Sequence, residues 1–464
     1  MVLRLLIQLQ LYLKAQYCRF LRQKVLISVL AAAAVYFTLH LTSSVITFRR
    51  TPRVAWVLEQ QAGSCSPHTN IAFLKTHKCA SSTIQNILFR YGLSHHLLFG
   101  LPDAGNYFGG GFYPFHADMF NLSPWSKLGV NIMAVHMKWD HQQVAKVMPN
   151  DTVYITIVRE PTELFESLYA YAKMDQAYNM MVEDFVASVP VEAERHRGFL
   201  GYNQMVWDFG IANKTLVNNL TAVRQLVQEA EDNFQLVMVA ERMEESLVLL
   251  SHILCWDLKD VVALKFNART SRFKKKLSSE TLKVLRQKLA PDYLLYEHFS
   301  SRFEELVEDF GKERMASEVS RLQALTKSLM DTCGFIKEDS VFLAGAEKPW
   351  SNMVEGYVAS SGNTKCHQYS RSEISFINLL RGIQRAEVCK RFGVPDIPGL
   401  DALPLGSHLF ENVNMEENIR LLKTLLVHVN NKVAHADSGV VQADSSVKGS
   451  VVDRTTTTIS RETT

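Results

Sequence analysis

The sequence predicts an α/β fold with a central parallel sheet flanked by helices. Three short runs rich in apolar and β-branched residues predict buried strands, at residues 71–74, 153–158 and 235–241. Segments with helical periodicity follow these runs, at residues 83–92, 164–173 and 243–254. Because strands that alternate with helices pair in parallel, the three units together indicate one helix-flanked sheet.

The composition supports a folded chain that does not bind nucleic acid. Hydrophobic residues make up 47% of the 464 residues, enough for the core of one large or two modest domains. The formal net charge is only +3, and no basic patch with interleaved aromatic residues occurs. We therefore expect no nucleic-acid partner.

The C-terminal part of the chain has a different character. Beyond Pro291 the pattern is mainly helical, and residues 301–330 form the longest amphipathic stretch. Residues 435–464 contain few large apolar residues and many Ser and Thr. Since such a composition cannot build a core, we expect a disordered tail there.

An apolar segment near the N-terminus predicts a membrane anchor. Residues 25–48 contain no Asp, Glu, Lys or Arg, and they exceed the roughly 20 residues that span a bilayer. The flanking basic residues favour a cytoplasmic tail at 1–24, a stem at 49–69 and a lumenal domain at 70–434. A cleaved signal peptide is the alternative, although its apolar core is typically shorter.

Sequons and cysteines agree with a lumenal domain. Four Asn-X-Ser/Thr sequons follow the apolar segment, at Asn121, Asn150, Asn213 and Asn219. Six of the seven cysteines also follow it, so one or two disulfides are expected. The cysteines and histidines show no zinc-binding spacing, and we expect no metal.

The loop after the first predicted strand has the composition of an anion site. It reads Lys75, Thr76, His77, Lys78, Cys79, Ala80, Ser81, Ser82 and Thr83. Lysines, hydroxyls and small residues at a helix N-terminus favour a bound phosphate, because unpaired N–H groups and the helix dipole point there. The loop lacks the glycines of a Walker A motif. An ordinary polar turn between strand and helix is the alternative.

A second set of anion-binding candidates follows the strand at 153–158. Arg159 comes directly after the strand, and Ser167 lies on the next helix. An arginine fork with a nearby hydroxyl suits a terminal phosphate. The alternative is an arginine paired with Glu160 or Glu163 at an exposed helix start. Two such units in order, however, are much less expected by chance than either one alone.

The two units together carry a family resemblance. FLKTHKCASSTIQNILFR and ITIVREPTELFESLYAY closely resemble the 5′-phosphosulfate and 3′-phosphate binding motifs of the galactose-3-O-sulfotransferase family. The similarity continues through IMAVHMKWD, GYNQMVWDFG and VMVAERMEESLVLL, and it spans about residues 70–299. It implies a P-loop-type sulfotransferase fold that binds the donor 3′-phosphoadenosine-5′-phosphosulfate (PAPS) at the strand ends.

The resemblance also implies roles for single residues. Lys78 matches the lysine that reaches the sulfate and the bridging oxygen. The 5′-phosphate is expected at Ser81, Ser82 and Thr83, with Lys75, Thr76, Cys79 and Ala80 completing the donor loop, and the 3′-phosphate at Arg159 and Ser167. Cys79 stands where threonine is expected, which puts one hydroxyl contact in doubt and suggests a thiol-sensitive site.

Sulfuryl transfer needs a base for the acceptor hydroxyl, and two histidines are candidates. His136 is placed first because it resembles a histidine of related carbohydrate sulfotransferases. His77, adjacent to Lys78, is placed second. Either histidine could instead be purely structural.

We therefore expect a sulfotransferase of the Golgi membrane, a single-pass type II protein. It would act on a galactose hydroxyl, O3 above all, of a galactosylceramide-type glycolipid or a glycan, with PAPS as donor and no metal. The alternatives are a glycosaminoglycan sulfotransferase and an inactive glycan-binding homologue. The sequence leaves the oligomeric state open, a homodimer included.

Overall fold

The computed structural model describes residues 65–121, 123–265, 276–349 and 351–392. The predicted cytoplasmic tail, the transmembrane helix at 25–48 and the disordered tail at 435–464 lie outside these residues, as does most of the predicted stem. Within the described ranges, no helix has both the length and the apolar character needed to cross a bilayer.

A five-stranded parallel sheet forms the centre of the fold. Its strands are β1 (Ile71–Leu74), β2 (Phe99–Gly100), β3 (Ile132–Met133), β4 (Val153–Val158) and β5 (Leu236–Val239), in the order β2-β3-β1-β4-β5. The chain adds strands on one side of β1 and then crosses to add strands on the other. The carboxyl ends of β1 and β4 therefore flank the switch point, where open α/β sheets bind their ligands.

Helices cover the sheet and extend beyond it. In chain order they are α1 (Ser81–Ser94), α2 (Asp118–Asn121), α3 (His141–Ala145), α4 (Pro161–Tyr171), α5 (Met174–Tyr178), α6 (Val182–Ser188), α7 (Gln204–Asp208), α8 (Leu220–Asn233), α9 (Met243–Ile253), α10 (Ser279–Lys288), α11 (Ala290–Phe310), α12 (Lys312–Cys333), α13 (Thr364–Ser370) and α14 (Glu373–Phe392). Helices α1, α4 and α9 follow β1, β4 and β5, which confirms the three predicted strand–helix units.

The central strands are buried because their side chains are apolar on both faces. Every residue of β1 is inaccessible to solvent, and β4 and β5 are almost as deeply buried. Two threonines link β1 to β4 beyond the strand ladder. The Thr156 hydroxyl donates to the Leu74 carbonyl at 2.9 Å, and the Thr76 hydroxyl donates to the Ile157 carbonyl at 2.6 Å. These bonds fix the two carboxyl ends beside each other.

The predicted bounds of β1 and β4 are confirmed, and β5 is slightly shorter than the predicted run. The sequence pattern does not predict β2 and β3, because two residues are too few to show a strand period. The structure places His136 shortly after β3, at the carboxyl edge of the sheet.

The amphipathic stretch at 301–330 is not one helix. Gly311 separates α11 from α12 with a φ of 95°, a conformation that L-residues rarely adopt, and its N–H caps α11 by donating to the Val307 and Glu308 carbonyls. Because the helical period continues on both sides of Gly311, the sequence pattern does not reveal the break.

An antiparallel hairpin, which the sequence analysis does not predict, follows α12. It pairs β6 (Phe335–Asp339) with β7 (Glu355–Ala359). A disulfide between Cys333 and Cys366 joins the end of α12 to α13 across this hairpin. The hairpin thereby leads the chain back to the main sheet, where α13 and α14 pack beside α1.

A second disulfide fixes the start of the domain. Cys65 is bonded to Cys255, directly after α9, and the expectation of one or two bridges is confirmed. His68 donates its amide to the Leu254 carbonyl and accepts a bond from the Trp256 indole N–H at 2.9 Å. These contacts join residues 65–68 to the end of α9.

Gly311 offers a test of the helix break. Replacing it with alanine forces a Cβ into a conformation that costs on the order of 1–3 kcal/mol, so G311A is expected to lower the free energy of unfolding by about that amount. G382A, in α14, is the matched control. No atom lies within 4 Å of its added Cβ, and it should raise stability by up to about 1 kcal/mol. Urea unfolding of both variants checks this, and equal effects would contradict it.

Candidate active site

The loop between β1 and α1 is shaped by two residues in the left-handed region. Lys78 and Ala80 both have φ of 59°. The Arg159 guanidinium, from the end of β4, donates from Nη1 to the Lys78 carbonyl at 2.9 Å and holds the turn. Turns of this kind direct backbone N–H groups into one concavity, and the first N–H groups of α1 join them from Ser81 onward. The backbone geometry of the loop can therefore accommodate an anion.

Several side chains of the loop hold it in place and do not face the concavity. The Thr76 hydroxyl is committed to β4, and the Ser81 hydroxyl donates to the Thr76 carbonyl at 2.6 Å. Thr83 is buried, and its amide donates to the Ala80 carbonyl at 3.0 Å. Among the hydroxyls predicted to hold phosphate, Ser82 is the most accessible.

Cys79 belongs to the structural part of the loop. Its side chain is inaccessible to solvent, and its Sγ lies 3.3 Å from the His77 carbonyl oxygen. Burial raises the pKa of the thiol well above its usual range, which keeps it protonated. These are the properties of an inert buried cysteine, and they argue against the predicted thiol-sensitive site.

The second unit brings Arg159 and α4 to the same edge. Arg159 is partly exposed, and its Nη2 lies 3.0 Å from Glu163 Oε2, the pairing considered as an alternative from the sequence. Ser167 is buried one turn beyond Glu163, and within the described residues no hydrogen bond joins it to Arg159. Tyr171, at the end of α4, lies under the Lys78 ammonium, 3.8 Å from nitrogen to ring centroid. The helix thus contacts Lys78 directly.

His77 is held by a carboxylate from a distant helix. Asp208, the last residue of α7, accepts the His77 amide at 2.7 Å and its ring Nδ1–H at 2.9 Å. Gln204 donates to the same carboxylate at 2.8 Å. With Nδ1 as the donor, His77 Nε2 presents its lone pair to the Tyr107 hydroxyl at 2.8 Å. A carboxylate on one ring nitrogen and a lone pair that faces a hydroxyl on the other is the arrangement of an oriented general base.

His136 is bound on both nitrogens. Its Nδ1 lies 3.0 Å from the Lys75 carbonyl oxygen, which can only accept, so Nδ1 carries the proton. Its Nε2 accepts from the Lys75 ammonium at 2.8 Å. Burial, aided by the nearby Lys75 charge, holds the pKa of His136 well below its usual range. The ring is therefore neutral, and its lone pair is already used.

Glu373 reaches the loop from the N-terminus of α14. Its Oε2 lies 3.1 Å from Lys75 Nζ and 3.4 Å from the Ser82 hydroxyl, and its Oε1 accepts from the Asn106 amide at 2.9 Å. Burial opposes ionisation of Glu373, but the Lys75 charge and these hydrogen bonds outweigh it and lower the pKa. Rings complete the cluster, because His77 stacks on His136 with centroids 4.4 Å apart.

Comparison with known proteins points to one protein family. A profile of the family described as galactose-3-O-sulfotransferase matches residues 2–403. The chain is 32% identical to human galactosylceramide sulfotransferase over 75% of its own length and 81% of that protein. It is 35% identical to human galactose-3-O-sulfotransferase 2 over 71% and 82% of the two chains, and 29% identical to mouse galactose-3-O-sulfotransferase 3 over 81% and 91%.

The chain belongs to the galactose-3-O-sulfotransferase family. The predicted family and the predicted enzyme class, a sulfotransferase, are therefore confirmed. Membership also implies a sulfate donor. No group of three or more His, Cys, Asp and Glu side chains in the described part of the sulfotransferase is arranged to hold a metal ion.

Sequence reasoning missed Asp208, Tyr107, Asn106 and Glu373. Asp208 lies within GYNQMVWDFG, a motif that the sequence analysis quotes for its resemblance without assigning it a role. Tyr107 and Asn106 lie in an irregular loop, and Glu373 lies beyond the region of recognised similarity. No local pattern marks these four residues as partners of the loop after β1.

Asp292 supports the helix that carries Asp208. Its carboxylate is inaccessible to solvent and accepts the Val206 amide at 2.9 Å and the Met205 amide at 3.3 Å, at the start of α7. Burial raises the pKa of Asp292 to about 7, although both hydrogen bonds oppose the shift. The position of Asp208 thus depends on a buried acid that titrates near neutrality.

This pKa predicts a pH-dependent stability. The folded pKa lies above the unfolded value of 3.8, so the contribution of Asp292 is complete below pH 3.8 and is lost as the pH rises through 7. The slope approaches about 1.4 kcal/mol per pH unit. Relative to D292N, the wild-type free energy of unfolding should fall between pH 5 and pH 7 in urea titrations. A difference that stays constant with pH would show that Asp292 does not titrate in this range.

Proposed function

We propose that this sulfotransferase moves a sulfuryl group from PAPS to O3 of a galactose on a galactosylceramide-type glycolipid or a glycan. The observation that carries the proposal is the oriented His77–Asp208 pair, next in the chain to Lys78 and the anion-binding loop. The names of the similar proteins, galactosylceramide sulfotransferase and galactose-3-O-sulfotransferase, support galactose as the acceptor sugar.

The loop fits the phosphosulfate end of the donor. A phosphosulfate carries negative charge on compact oxygens, and the concavity offers backbone N–H groups, a helix N-terminus and the Lys78 ammonium. Arg159, partly exposed beside the loop, is our candidate for the 3′-phosphate, together with Ser167. To bind that phosphate, Arg159 would exchange its exposed partner Glu163 for a stronger dianionic one.

The proposed step is an in-line transfer. The acceptor oxygen forms a bond to sulfur while the bond from sulfur to the 5′-phosphate oxygen breaks, and adenosine 3′,5′-bisphosphate departs with that electron pair. His77 Nε2 takes the proton of the acceptor hydroxyl. The acceptor hydroxyl would lie beside Nε2, where the Tyr107 hydroxyl lies in this structure. Asp208 stabilises the imidazolium that results. Lys78 stabilises the negative charge that develops on the leaving oxygen.

His77 suits the role of base better than His136, which the sequence analysis placed first. The lone pair of His136 is engaged by the Lys75 ammonium, and burial disfavours its protonation. A ring that cannot readily hold a second proton is a poor proton acceptor. We therefore assign His136 to positioning Lys75 and stacking on His77.

We further propose a Golgi lumenal location, with a type II anchor at residues 25–48 as the sequence predicts. Two disulfides fit an oxidising compartment. The four sequon asparagines, at Asn121, Asn150, Asn213 and Asn219, have exposed side chains.

The first test is transfer of radiolabelled sulfate from PAPS by the full-length chain to galactosylceramide, lactose and N-acetyllactosamine. We expect K78A to lower kcat by about 10²–10³-fold, since it removes a group that stabilises developing charge. R159A should raise the KM for PAPS about tenfold or more through loss of a charged hydrogen bond. K312A and R321A, at exposed positions of α12, are matched controls.

The outcomes of this assay separate the alternatives. Labelling of a glycosaminoglycan but no galactoside would favour the first rival function. An absence of labelling across a broad glycan panel, together with no PAPS binding, would sink the enzyme proposal and favour an inactive glycan-binding homologue.

The identity of the base has its own test. H77A is expected to lower kcat by about 10²–10⁴-fold, and added imidazole should restore part of the activity by replacing the missing base. H136A should lose activity without imidazole rescue, because its effect passes through Lys75. Steady-state assays at several imidazole concentrations measure this. Rescue of H136A but not of H77A would reverse the assignment.

A further inference from the structure

The carboxylate of Glu373 lies beside the loop after β1 although α14 comes from the far end of the described chain. Its side chain is 16% exposed, whereas its partner Lys75 is 2% exposed. The neighbouring residues Asn106 and Tyr107 are also partly exposed. Glu373 and Asn106 are therefore not fully shielded from solvent.

Other contacts seat α14 on the domain. Gln384 bonds both the amide and the carbonyl of Phe99, at 2.6 and 3.1 Å. The Arg381 guanidinium donates from Nε to the Pro102 carbonyl at 2.9 Å, and Phe376 is buried against Phe89. Because these contacts dock the helix, the Glu373 carboxylate is not needed for that purpose.

The negative charge of Glu373 influences two tyrosines of the site. Burial is the main cause of the raised pKa values of Tyr107 and Tyr171, and the Glu373 charge adds to both shifts. Tyr107 bonds the Nε2 of His77, and Tyr171 lies under Lys78. Glu373 thus acts on a partner of the proposed base and on a partner of the proposed leaving-group lysine.

The chemistry of this group suits a neutral, hydroxyl-bearing ligand. An ionised carboxylate can accept about four hydrogen bonds, and Asn106, Lys75 and Ser82 supply three. Its negative charge disfavours a second anion, so the donor gains nothing from it. A sugar hydroxyl can donate to the carboxylate and accept from an amide at the same time.

We propose that Glu373 and Asn106 bind a hydroxyl of the acceptor galactose next to the one that is sulfated, and thereby select the acceptor. The inference rests on the proposed function. The hydroxyl would donate to Glu373 Oε1 and accept from the Asn106 amide group, which now bond to each other. The adjacent sugar hydroxyl would then face His77.

The test uses the full-length chain, with N-acetyllactosamine and its forms that lack the 2- or the 4-hydroxyl of galactose. E373Q keeps the shape of the side chain and removes its charge. We expect its KM for N-acetyllactosamine to rise about tenfold or more, because the variant loses a hydrogen bond to a charged group. Its affinity for adenosine 3′,5′-bisphosphate should be unchanged or tighter.

The deoxy acceptors identify the contact. For the form that lacks the bound hydroxyl, wild type and E373Q should have equal KM values, because the interaction is already absent. N106A leaves the Glu373–Lys75 pair in place and should reproduce the rise in KM, so the test does not depend on the stability of E373Q. E387Q, on an outer turn of the same helix, is the control.

Other results would overturn the inference. If E373Q weakens nucleotide binding while N106A leaves the acceptor KM unchanged, Glu373 is only the counterion of Lys75. If both variants raise the KM of every deoxy acceptor by the same factor, neither residue contacts a neighbouring hydroxyl. Failure of the wild-type chain to label any galactoside would instead refute the proposed function, which keeps the two failures distinct.

Discussion

The Asp208 carboxylate fixes the loop after β1, and the geometry of the site depends on that bond. A buried charge is costly unless hydrogen bonds satisfy it, and Asp208 obtains three from the His77 amide, the His77 ring and Gln204. His77 supplies two of these three bonds, so its backbone amide and its ring must both face Asp208. The left-handed Lys78 that follows redirects the chain away from Asp208 and toward α1.

A second hydrogen-bond network reaches the His77 ring and begins at Glu373, near the C-terminal end of the described chain. Glu373 holds Lys75, and Lys75 holds the Nε2 of His136, whose ring packs against both His77 and Tyr107. Buried polar networks of this kind are stabilising only when their members are satisfied, and then they allow one arrangement. The two networks meet in the stacked rings, which explains how residues far apart in the chain form one rigid edge of the sheet.

Sequence reasoning recovered what depends on local pattern. The bounds of β1 and β4 follow from short apolar runs, and the loop between β1 and α1 follows from the change of pattern after Leu74. Asp208 and Glu373 could not be found in this way, because each meets the loop only after the chain has crossed the sheet. The helix break at Gly311 could not be predicted from the sequence, for a different reason. One glycine within a continuous amphipathic period does not reveal its φ angle, and only the packing of α12 on α9 requires the turn.

The two lysines of the loop show why spacing alone cannot assign roles. Lys75 is still part of the buried edge of β1, and a carboxylate compensates its charge. Three residues later the left-handed turn brings Lys78 to the rim, where it is partly exposed and lies on the Tyr171 ring. A cation–π contact is worth about 0.5–2 kcal/mol and stabilises an ammonium less than a phosphate or sulfate oxygen does. An arriving anion would therefore gain from Lys78, whereas the charge of Lys75 is already paired with Glu373 and its ammonium bonds His136.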